Sequence, residues 1–519
     1  MSSEEKQIIL VFDVGTQSSR AMLVDSHGSV LGISKQAHEP AYTSLHADWA
    51  EQDADFYYET ICRAARQLRE EKKDLWKDIK AVSVTTIRDT IVCVDKDGKP
   101  LRPAILWLDK RRADGKADIP FFSRLLLKAV GMENTINTQF QKSHCNWIRT
   151  REPEIWEKTY KLLFISGYLI FKLTGNMKDA AASLVGHLPI NSKTRSWQGP
   201  NALTSPVFPV DQDKLCEIAD SGDILGYITP QMAADSDVPQ GLPVIATGSD
   251  KACEILGLGC VTKEKAAIGF GTTATITFMN NTYLEPERFI PPYPAVIKGS
   301  YNPEIEIFRG YWLVSWFKKE FASKEVEQAQ ELGISVEDLL DQHLKDIPPG
   351  CEGLLFQPYL TPNVTMPTAR GAVIGFADLH TRIHLYRAII EGINFALYDG
   401  MKLMEHRARH KFQEIYLGGG GSQSDEICQI TADMFGIPVV RTQTFEVTGI
   451  GCALAAFVGI GTFKSYEEAV QEMVHEKDRF IPDMEIHKKY EELYDGVFKK
   501  IYHQLSPLYN KLHEIYHRD

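Results

Sequence analysis

Two similar alternations of apolar and small polar residues stand out along this chain. Residues 8–24 are I-I-L-V-F-D-V-G-T-Q-S-S-R-A-M-L-V, in which two apolar runs flank a turn rich in Gly, Thr and Ser. Residues 266–278, A-A-I-G-F-G-T-T-A-T-I-T-F, repeat this order. Apolar runs of strand length on both sides of a small polar turn predict a β-hairpin at each place.

The spacing of the two hairpins is more informative than either hairpin alone. Their Gly-Thr pairs begin at Gly15 and Gly271, nearly half of the 519-residue chain apart. Short turns of this kind recur by chance, but a separation of half the chain favours an internal duplication. The pattern therefore predicts two lobes of similar architecture, each opening with a hairpin.

Turns of this composition are suited to binding phosphate. Their backbone N–H groups and hydroxyls donate to phosphate oxygens, and glycine lets the backbone approach closely. Two such turns facing each other across a cleft would clamp a nucleotide from both sides, as in the superfamily of actin, hexokinase and the chaperone ATPases. The GxxxxGK[ST] pattern of the Walker loop is absent from the chain.

Asp13 ends the first apolar run and would lie at the mouth of that cleft. A carboxylate there suits Mg²⁺, which prefers oxygen ligands and keeps several waters. A turn-forming aspartate is the alternative, since aspartate is common in turns. The adjacent Thr-Gln-Ser-Ser sequence favours the metal site.

A second aspartate is the candidate base. Residues 244–246 are strand-like, residues 247–249 interrupt the strand, and a helical pattern begins near Lys251. Asp250 would then lie at a helix N-terminus, where aspartate often serves only as a cap. Ser249 can supply that cap instead and leave the Asp250 carboxylate free to take a proton from a substrate hydroxyl.

Composition narrows the class of protein. A chain of this length is expected to form two or more domains. With a net charge of −12 and no long basic run, it is a poor nucleic-acid binder and presents no basic belt to a membrane. The nine cysteines are scattered without a CxxC pair, which argues against a zinc site or a disulfide framework. The polar residues 1–6 contain no signal core, and no apolar stretch is long enough to span a bilayer, so a cytoplasmic location is expected.

With these residues in view, the chain resembles the FGGY family of carbohydrate kinases from end to end. Many spaced motifs in the right order make this resemblance more specific than one motif would. In chain order the matching segments are D-V-G-T-Q-S-S-R at 13–20, W-A-E-Q at 49–52, W-L-D-K-R at 107–111, G-S-D at 248–250, G-F-G-T-T at 269–273, the second signature at 371–392, L-G-G-G-G-S at 417–422 and A-D-M-F-G-I-P-V at 432–439.

The resemblance implies a fold and an activity. The expected fold is α/β, with two actin-like (ribonuclease H-like) lobes, each a mixed sheet flanked by helices, and an ATP and sugar cleft between them. The N-terminal lobe would comprise residues 1–254 and the C-terminal lobe residues 255–519. The implied reaction is the ATP- and Mg²⁺-dependent phosphorylation of a hydroxyl on a small ketose, polyol or related sugar.

The resemblance also implies roles for matching positions, with Asp250 as the general base. Nucleotide and metal binding would fall to Asp13 (which also holds Mg²⁺), Thr16, Gln17, Ser18, Arg20, Gly271, Thr272, Gly419 and Gln423. The sugar side would be formed by Arg88, Asp89, Trp107, Asp109 and Lys251.

Three positions depart from the family pattern. Gln139 stands where glycerol kinases carry the tyrosine that covers glycerol, Lys251 follows the base in place of glutamine or asparagine, and Tyr311 stands where a nucleotide-side glycine is common. These changes argue for a substrate larger than glycerol. Arg88 and Lys251 would permit an anionic group on it, unless Lys251 points away and pairs with Glu254.

Two other function classes compete with a sugar kinase. A nucleotide-switched binding protein like actin would keep the phosphate loops but lack a sugar pocket, and a silent sensor would have lost catalysis. The W-x-D-x-R motif argues against the first, and the presence of both Asp13 and Asp250 argues against the second. His144, His380 and His384 are interpreted as structural. A homodimer is compatible with the sequence, as is an amphipathic helix over residues 486–517.

Overall fold

A computed structural model describes residues 7–129, 131–200, 202, 205–287, 290–363 and 365–516; the polar N-terminal residues 1–6 lie outside it. Its strands are, in chain order, β1 (Ile8–Val14), β2 (Ser18–Asp25), β3 (Val30–Ala37), β4 (Glu51–Gln52), β5 (Ile79–Thr86), β6 (Ile91–Val94), β7 (Ala104–Ile105), β8 (Lys161–Phe164), β9 (Lys178–Ala180), β10 (Ile190–Asn191), β11 (Ser196–Trp197), β12 (Glu217–Ala219), β13 (Ile224–Tyr227), β14 (Pro243–Ile245), β15 (Lys265–Phe270), β16 (Ala274–Phe278), β17 (Tyr293–Pro294), β18 (Tyr301–Asn302), β19 (Glu304–Ile307), β20 (Leu355–Gln357), β21 (Ala372–Ile374), β22 (Glu414–Gly419), β23 (Val439–Thr442) and β24 (Glu476–Phe480).

The α-helices alternate with these strands. They are α1 (Ala54–Glu71), α2 (Phe121–Ala129), α3 (Glu133–Lys142), α4 (His144–Arg151), α5 (Pro153–Lys158), α6 (Ile165–Thr174), α7 (Pro230–Ser236), α8 (Asp250–Gly257), α9 (Trp312–Phe321), α10 (Ser323–Leu332), α11 (Val336–Gln342), α12 (Arg382–Ala408), α13 (Asp425–Phe435), α14 (Val447–Gly459), α15 (Tyr466–Met473), α16 (Met484–Leu493) and α17 (Lys499–Tyr516).

Each lobe is built on a six-stranded mixed sheet, and the two sheets have the same topology. The first has the order β13-β14-β5-β1-β2-β3 and the second the order β24-β23-β22-β15-β16-β19. In both, the hairpin strands are antiparallel, the next two strands run parallel to the first, and the last is antiparallel again. The predicted duplication into two mixed-sheet lobes flanked by helices is confirmed.

The two hairpins form where the apolar pattern predicted them. Every residue of β1 is buried, and β16 is buried throughout. Strands buried on both faces give continuous apolar runs rather than strict alternation. The turns that join the strands of these hairpins are residues 15–17 and 271–273.

Helices α8 and α14 lie between the two sheets. Apolar residues of both helices pack with the β1 and β2 side chains Ile9, Val11 and Met22 in one buried cluster. The helices cross closely, because a Cβ added at Gly451 would overlap the carbonyl oxygen of Cys253. This contact fixes α8, and with it Asp250, at the centre of the molecule. The predicted lobe boundary after residue 254 falls within α8 and stays a prediction.

The C-terminal segment is helical, as its periodicity indicated. Helices α16 and α17, joined through a π-helical turn over Tyr494–Phe498, bury Tyr490, Tyr494 and Ile501 against the second lobe. Within the described residues, no helix combines the length and the apolar character that a membrane span requires.

Candidate active site

The predicted first phosphate loop is a tight turn between β1 and β2. The Gly15 N–H donates to the Ser18 carbonyl oxygen at 3.0 Å and closes the turn. The indole Nε1 of Trp107 donates to the Thr16 hydroxyl at 2.9 Å. Gln17 is exposed at the tip, whereas Ser18 is buried. Thr16, Gln17 and Ser18, which were predicted to line the phosphates, thus belong to one turn. Trp107, which was predicted for the sugar side, donates a hydrogen bond to this turn.

Asp13 and Arg20 face each other across this hairpin as register partners. Arg20 Nη1 lies 3.0 Å from Asp13 Oδ2, and Arg20 Nε lies 3.6 Å from Glu446 Oε2. Asp13 Oδ1 accepts no hydrogen bond from the described part of the chain. Burial raises the pKa of Asp13 to about 6, because it outweighs the lowering effect of Arg20, and Asp250 adds to the rise. Arg20 is therefore the counter-ion of the predicted metal ligand.

The second turn is anchored to the start of α9. The Gly271 carbonyl oxygen accepts the Tyr311 N–H at 3.0 Å, and the Thr272 carbonyl oxygen accepts the Trp312 N–H at 3.4 Å. The carbonyl groups of the turn are thus engaged with α9, and the Thr272 side chain stays exposed. A turn with its carbonyls engaged in this way is suited to an anion.

The glycine-rich loop that follows β22 lies beside the second turn. Gly419 has a φ of +80°, and a Cβ there would lie 2.6 Å from the Phe270 carbonyl oxygen, so only glycine fits. Open space surrounds Gly420, with no described atom within 4 Å of an added Cβ. The Gln423 side chain is exposed, while its carbonyl oxygen accepts Arg441 Nη1 at 3.2 Å.

Tyr311 connects the second turn to this glycine-rich loop. Its ring lies 4.7 Å from the Phe270 ring, centroid to centroid, and occupies the space that a side chain at Gly421 would need. The Tyr311 hydroxyl is buried and has no hydrogen-bond partner among the residues described. Tyr311, which departs from the family pattern, thus packs between the second turn and the glycine-rich loop, both of which are predicted to bind the nucleotide.

These features fit a nucleotide with its metal. Thr16, Gln17, Thr272 and Gln423 leave polar groups unburied on the two turns and the glycine-rich loop, and the space beside Gly420 is open. One free carboxylate oxygen of Asp13 suits Mg²⁺, which is commonly held by one or two carboxylates together with substrate phosphates.

Asp250 is the first residue of α8, and its neighbour caps the helix. The Ser249 hydroxyl accepts the Ala252 N–H at 3.4 Å, and Asp250 Oδ1 accepts only the adjacent Lys251 N–H, at 2.8 Å. Burial raises the pKa of Asp250 above its usual value, although Arg88 and Lys251 act in the opposite direction. The cap is therefore supplied by serine, and the aspartate keeps a free oxygen.

Lys251 points away from the sugar side and pairs with Glu254, the alternative left open by the sequence. Its Nζ lies 2.6 Å from Glu254 Oε2. The pair packs on the second sheet against Gly269 and Gly418, which are register partners on β15 and β22. A Cβ added at Gly269 would lie 2.9 Å from Lys251 Nζ, and one added at Gly418 would lie 2.8 Å from Glu254 Oε1. Burial lowers the pKa of Lys251, but Glu254 and Asp250 outweigh it, so the pKa is raised and the ammonium stays charged.

We expect Gly269→Ala to destabilise the fold by roughly 1–3 kcal/mol, because the new methyl group overpacks against the Lys251–Glu254 pair. The free energy of unfolding in urea measures the effect. Gly496→Ala is the matched control, since no described atom lies within 4 Å of a Cβ at that exposed position. Equal stability of the two variants would show that the glycine is not needed for the ion pair.

Arg88 and Asp89 are neighbours in sequence, yet they do not pair with each other. Arg88 Nη1 lies 2.9 Å from Glu304 Oε1 of the other lobe, and its guanidinium lies 5.2 Å from the centroid of the Tyr293 ring. Asp89 accepts the His187 N–H at 3.0 Å and lies 2.6 Å from its Nδ1. Burial opposes ionisation of Asp89, but His187 outweighs it and lowers the pKa. Each residue therefore has its own partner on the sugar side.

Asp109 lies behind the cleft wall rather than on its surface. Its carboxylate, fully buried, accepts Arg111 Nε at 2.8 Å, Arg111 Nη2 at 2.7 Å and the Ala50 N–H at 2.6 Å. Arg111 also pairs with Glu51 at 2.8 Å and stacks 3.9 Å from the Trp49 ring centroid. The W-x-E-Q and W-x-D-x-R segments thus form one buried cluster around Arg111, and the predicted contact of Asp109 with a sugar stays a prediction.

Two acidic side chains of β19, Glu304 and Glu306, were not among the predicted site residues. Glu304 pairs with Arg88, and the half-buried Glu306 follows two residues later on the same strand face. The available signal was the E-I-E-I alternation at 304–307, which places two carboxylates on one face of a strand. It gave no indication that this face meets Arg88 and Asp250.

The three histidines considered for metal binding have other contacts. His380 Nε2 lies 3.0 Å from the Cys351 carbonyl oxygen, and His384 takes part in the cap of α12 with Thr381. His144 is buried at the start of α4, where burial lowers its pKa. In the described residues, no group of three or more metal-ligating side chains is assembled.

Comparison with known proteins bears on the whole chain. Residues 8–257 match the N-terminal domain, and residues 266–460 the C-terminal domain, of the FGGY family of carbohydrate kinases.

Three relatives extend over nearly the full length. An uncharacterised sugar kinase, YgcE, of Escherichia coli K12 is 30% identical over 99% of this chain and 96% of its own. A xylulose kinase of Lactococcus lactis is 27% identical over 98% of both chains. A gluconokinase of Bacillus licheniformis is 26% identical over 93% of this chain and 94% of its own.

A solved structure supports the fold. A ligand-bound xylulose kinase from Lactobacillus acidophilus superposes with a TM-score of 0.81 at 20% identity, covering 98% of this chain and all of that one. Together with the duplicated sheets and the paired phosphate loops, these matches show that the chain belongs to the FGGY family of carbohydrate kinases.

Proposed function

We propose that this carbohydrate kinase transfers the γ-phosphoryl group of Mg-ATP to a hydroxyl of a small ketose or polyol, with Asp250 as the general base. The observation that carries this proposal is the half-buried Asp250 carboxylate at the capped start of α8, which keeps one oxygen free and lies within electrostatic range of Arg88 and Asp13. Phosphoryl transfer needs little else from a protein than positioning, charge stabilisation and a base.

The chemistry assigned to Asp250 is a proton transfer. As the substrate hydroxyl oxygen forms its bond to the γ-phosphorus, the bond from that phosphorus to the bridging oxygen of ADP breaks. The Asp250 carboxylate takes the hydroxyl proton. Burial raises the pKa of Asp250, which makes it a better proton acceptor than an exposed aspartate, while Arg88 and Lys251 oppose the shift and favour the ionised carboxylate.

Charge on the phosphates would be handled from both lobes. The turns at 15–17 and 271–273 offer N–H groups and hydroxyls, and Arg20 adds a cation. Mg²⁺ bound beside Asp13 would neutralise part of the phosphate charge. Gly419 and Gln423 are proposed to border the adenosine, where the open space at Gly420 lies.

A neutral substrate is favoured over an acidic one. Arg88 and Lys251, the cations considered for an anionic group, are engaged by Glu304 and Glu254. Hydroxyl groups can still use the remaining donors and acceptors of Arg88 and Asp89, with Trp107 as an apolar wall.

The test is ADP release in a coupled assay with Mg-ATP and a panel of ketoses, polyols and sugar acids, with Asp250→Asn alongside. Activity with one compound that the variant lacks supports the proposal. ADP release that ignores every sugar would indicate a nucleotide-switched binding protein. Nucleotide binding without any ADP release would indicate a silent sensor.

The pH dependence of kcat/KM for the sugar is expected to show an acidic limb near pH 6 or above. Burial raises the pKa of Asp13 to about 6 and raises that of Asp250 above its usual value, so activity falls as pH falls and these carboxylates become protonated. Arg20→Gln should move the limb to higher pH, because Arg20 lowers the pKa of Asp13. Profiles of both proteins at saturating Mg-ATP measure the shift; a wild-type limb near pH 4, typical of exposed aspartate, would contradict it.

A further inference from the structure

Two carboxyl groups share one face of β19, and only one of them has a side-chain partner in the described chain. Glu304 and Glu306 are two residues apart on a strand, so they share a face, and they lie opposite Thr277 and Thr275 of β16. Glu304 accepts Arg88 Nη1 at 2.9 Å and is nearly fully buried. Glu306 is half-buried, and no hydrogen bond or ion pair joins its side chain to any other described residue.

Glu306 lies within electrostatic range of the proposed reaction centre. Arg88, Lys251 and Asp250 are all close enough to influence its ionisation electrostatically. Its register partner, Thr275, lies two residues beyond the second phosphate turn. The side chain thus stands on the second lobe opposite the sugar side of the first lobe, where a substrate between the lobes would meet it.

The proposed catalytic machinery leaves Glu306 without a role. The base is Asp250, the metal ligand is Asp13, and the cation beside it, Arg88, is engaged by Glu304. An unpartnered, half-buried carboxyl group costs free energy unless something hydrogen-bonds to it. A ligand with hydroxyl groups in the cleft would supply those bonds.

We propose that Glu306 is a specificity-determining residue that accepts hydrogen bonds from hydroxyl groups of a neutral sugar and disfavours a sugar acid whose carboxylate would lie beside it. This inference rests on the proposed function, whose substrate class it narrows. Like charges brought together in a desolvated site are strongly unfavourable, which gives a carboxylate the power to exclude.

The surrounding charges determine how strong the exclusion is. The groups that influence Glu306, or the nearby sugar side, are Arg88 after β5, Asp89 and His187, Lys142 of α3, Asp250 and Lys251 of α8, Tyr293 of β17 and Glu304 of β19. Lys142 is the one cation of this set without a hydrogen bond or ion pair in the described chain, and its pKa is lowered by burial and by Arg112. It is the competing site for a substrate carboxylate.

Glu306→Gln tests the proposal, because glutamine keeps the shape and removes the charge. With saturating Mg-ATP, we expect the KM for the neutral sugar to rise about tenfold or more, as for the loss of a charged hydrogen bond, while the KM for ATP is unchanged. The ratio of kcat/KM for D-gluconate to that for the neutral sugar should rise about tenfold or more. Glu306→Asp should restore most of the discrimination, and the exposed Glu331→Gln serves as the matched control.

The ratio of kcat/KM for D-gluconate to that for the neutral sugar should depend on pH. A purely structural role of Glu306 would not produce this dependence. Burial, opposed by Arg88, raises the pKa of Glu306 to about 7. In the wild type the acid-to-neutral ratio should fall as pH rises from about 6 to about 8, because Glu306 loses its proton. This fall should be absent or much smaller in Glu306→Gln, which keeps Lys142 and every other ionisable group.

Calorimetric binding of the same sugars, without turnover, separates failure of this inference from failure of the proposed function. If sugars bind the wild type but are not phosphorylated, the proposed function is overturned. The binding of the same sugars to Glu306→Gln would still decide whether Glu306 determines specificity. Equal binding of neutral sugar by the wild type and by a folded Glu306→Gln would overturn the inference. If gluconate is excluded equally by both proteins, or if no sugar binds the wild type, the inference also fails.

Discussion

Asp250→Asn is expected to lower kcat by about 10²- to 10⁴-fold, the usual contribution of a general base. The fold should be unaffected, because Ser249 caps α8 and an asparagine oxygen can still accept the Lys251 N–H. The KM for ATP should stay within about twofold, since Asp250 is not among the nucleotide-side residues. Steady-state kinetics with the sugar identified in the panel measures all of these quantities.

Glu467→Gln is a suitable control for this experiment. Glu467 is an exposed carboxylate in the first turn of α15, a helix that is also capped by a serine, and it is remote from the cleft. Its replacement should leave kcat unchanged. If Asp250→Asn keeps more than about a tenth of the wild-type kcat, Asp250 is not the base.

The second large effect is on stability: Arg111→Met should destabilise the protein by roughly 3–5 kcal/mol, as expected when one partner of a buried ion pair is removed. Methionine fills much of the space between the Trp49 and Trp147 rings, but it leaves the buried Asp109 carboxylate without a counter-ion and leaves Glu51 with Arg102 alone. Urea unfolding followed by circular dichroism gives the free energy.

Lys110→Met provides the comparison for this variant. Lys110 is adjacent in sequence, and its 3.0 Å ion pair with Asp48 is exposed on both sides. Exposed pairs contribute about 0–1 kcal/mol, so the control should be nearly neutral. A loss in Arg111→Met no larger than in Lys110→Met would mean that the W-x-D-x-R cluster does not hold the fold together.

The features that the sequence predicted well are local ones. The two hairpins, the tight turns and the capped start of α8 each depend on residues within about ten positions of each other, and apolar runs and cap residues show them directly. The duplication followed from comparing two such local patterns. Family motifs then identified the lobes and the cleft.

The remaining features depend on partners far apart in the chain. Arg88 bonds to Glu304 across 216 positions, and no spacing rule connects them. The direction of Lys251 depends on two glycines of another lobe's sheet, Gly269 and Gly418. Asp109 matches a motif on the sugar side, yet its role depends on Glu51 and Arg111 around it. Such contacts become visible only when the sheets are assembled.

The hydrogen bond between Trp107 and Thr16 has an optical consequence. The indole donates directly to the loop predicted to hold phosphates, and 36% of its surface reaches solvent. Indole emission is sensitive to the polarity and hydrogen bonding around the ring, so a change in that loop alters the light that Trp107 emits. The chain has eight tryptophans, and the difference spectrum against Trp107→Phe isolates this one. The fold thus places an intrinsic fluorophore against the loop proposed to hold phosphates, and stopped-flow emission on mixing with Mg-ATP would report nucleotide binding there without an added dye.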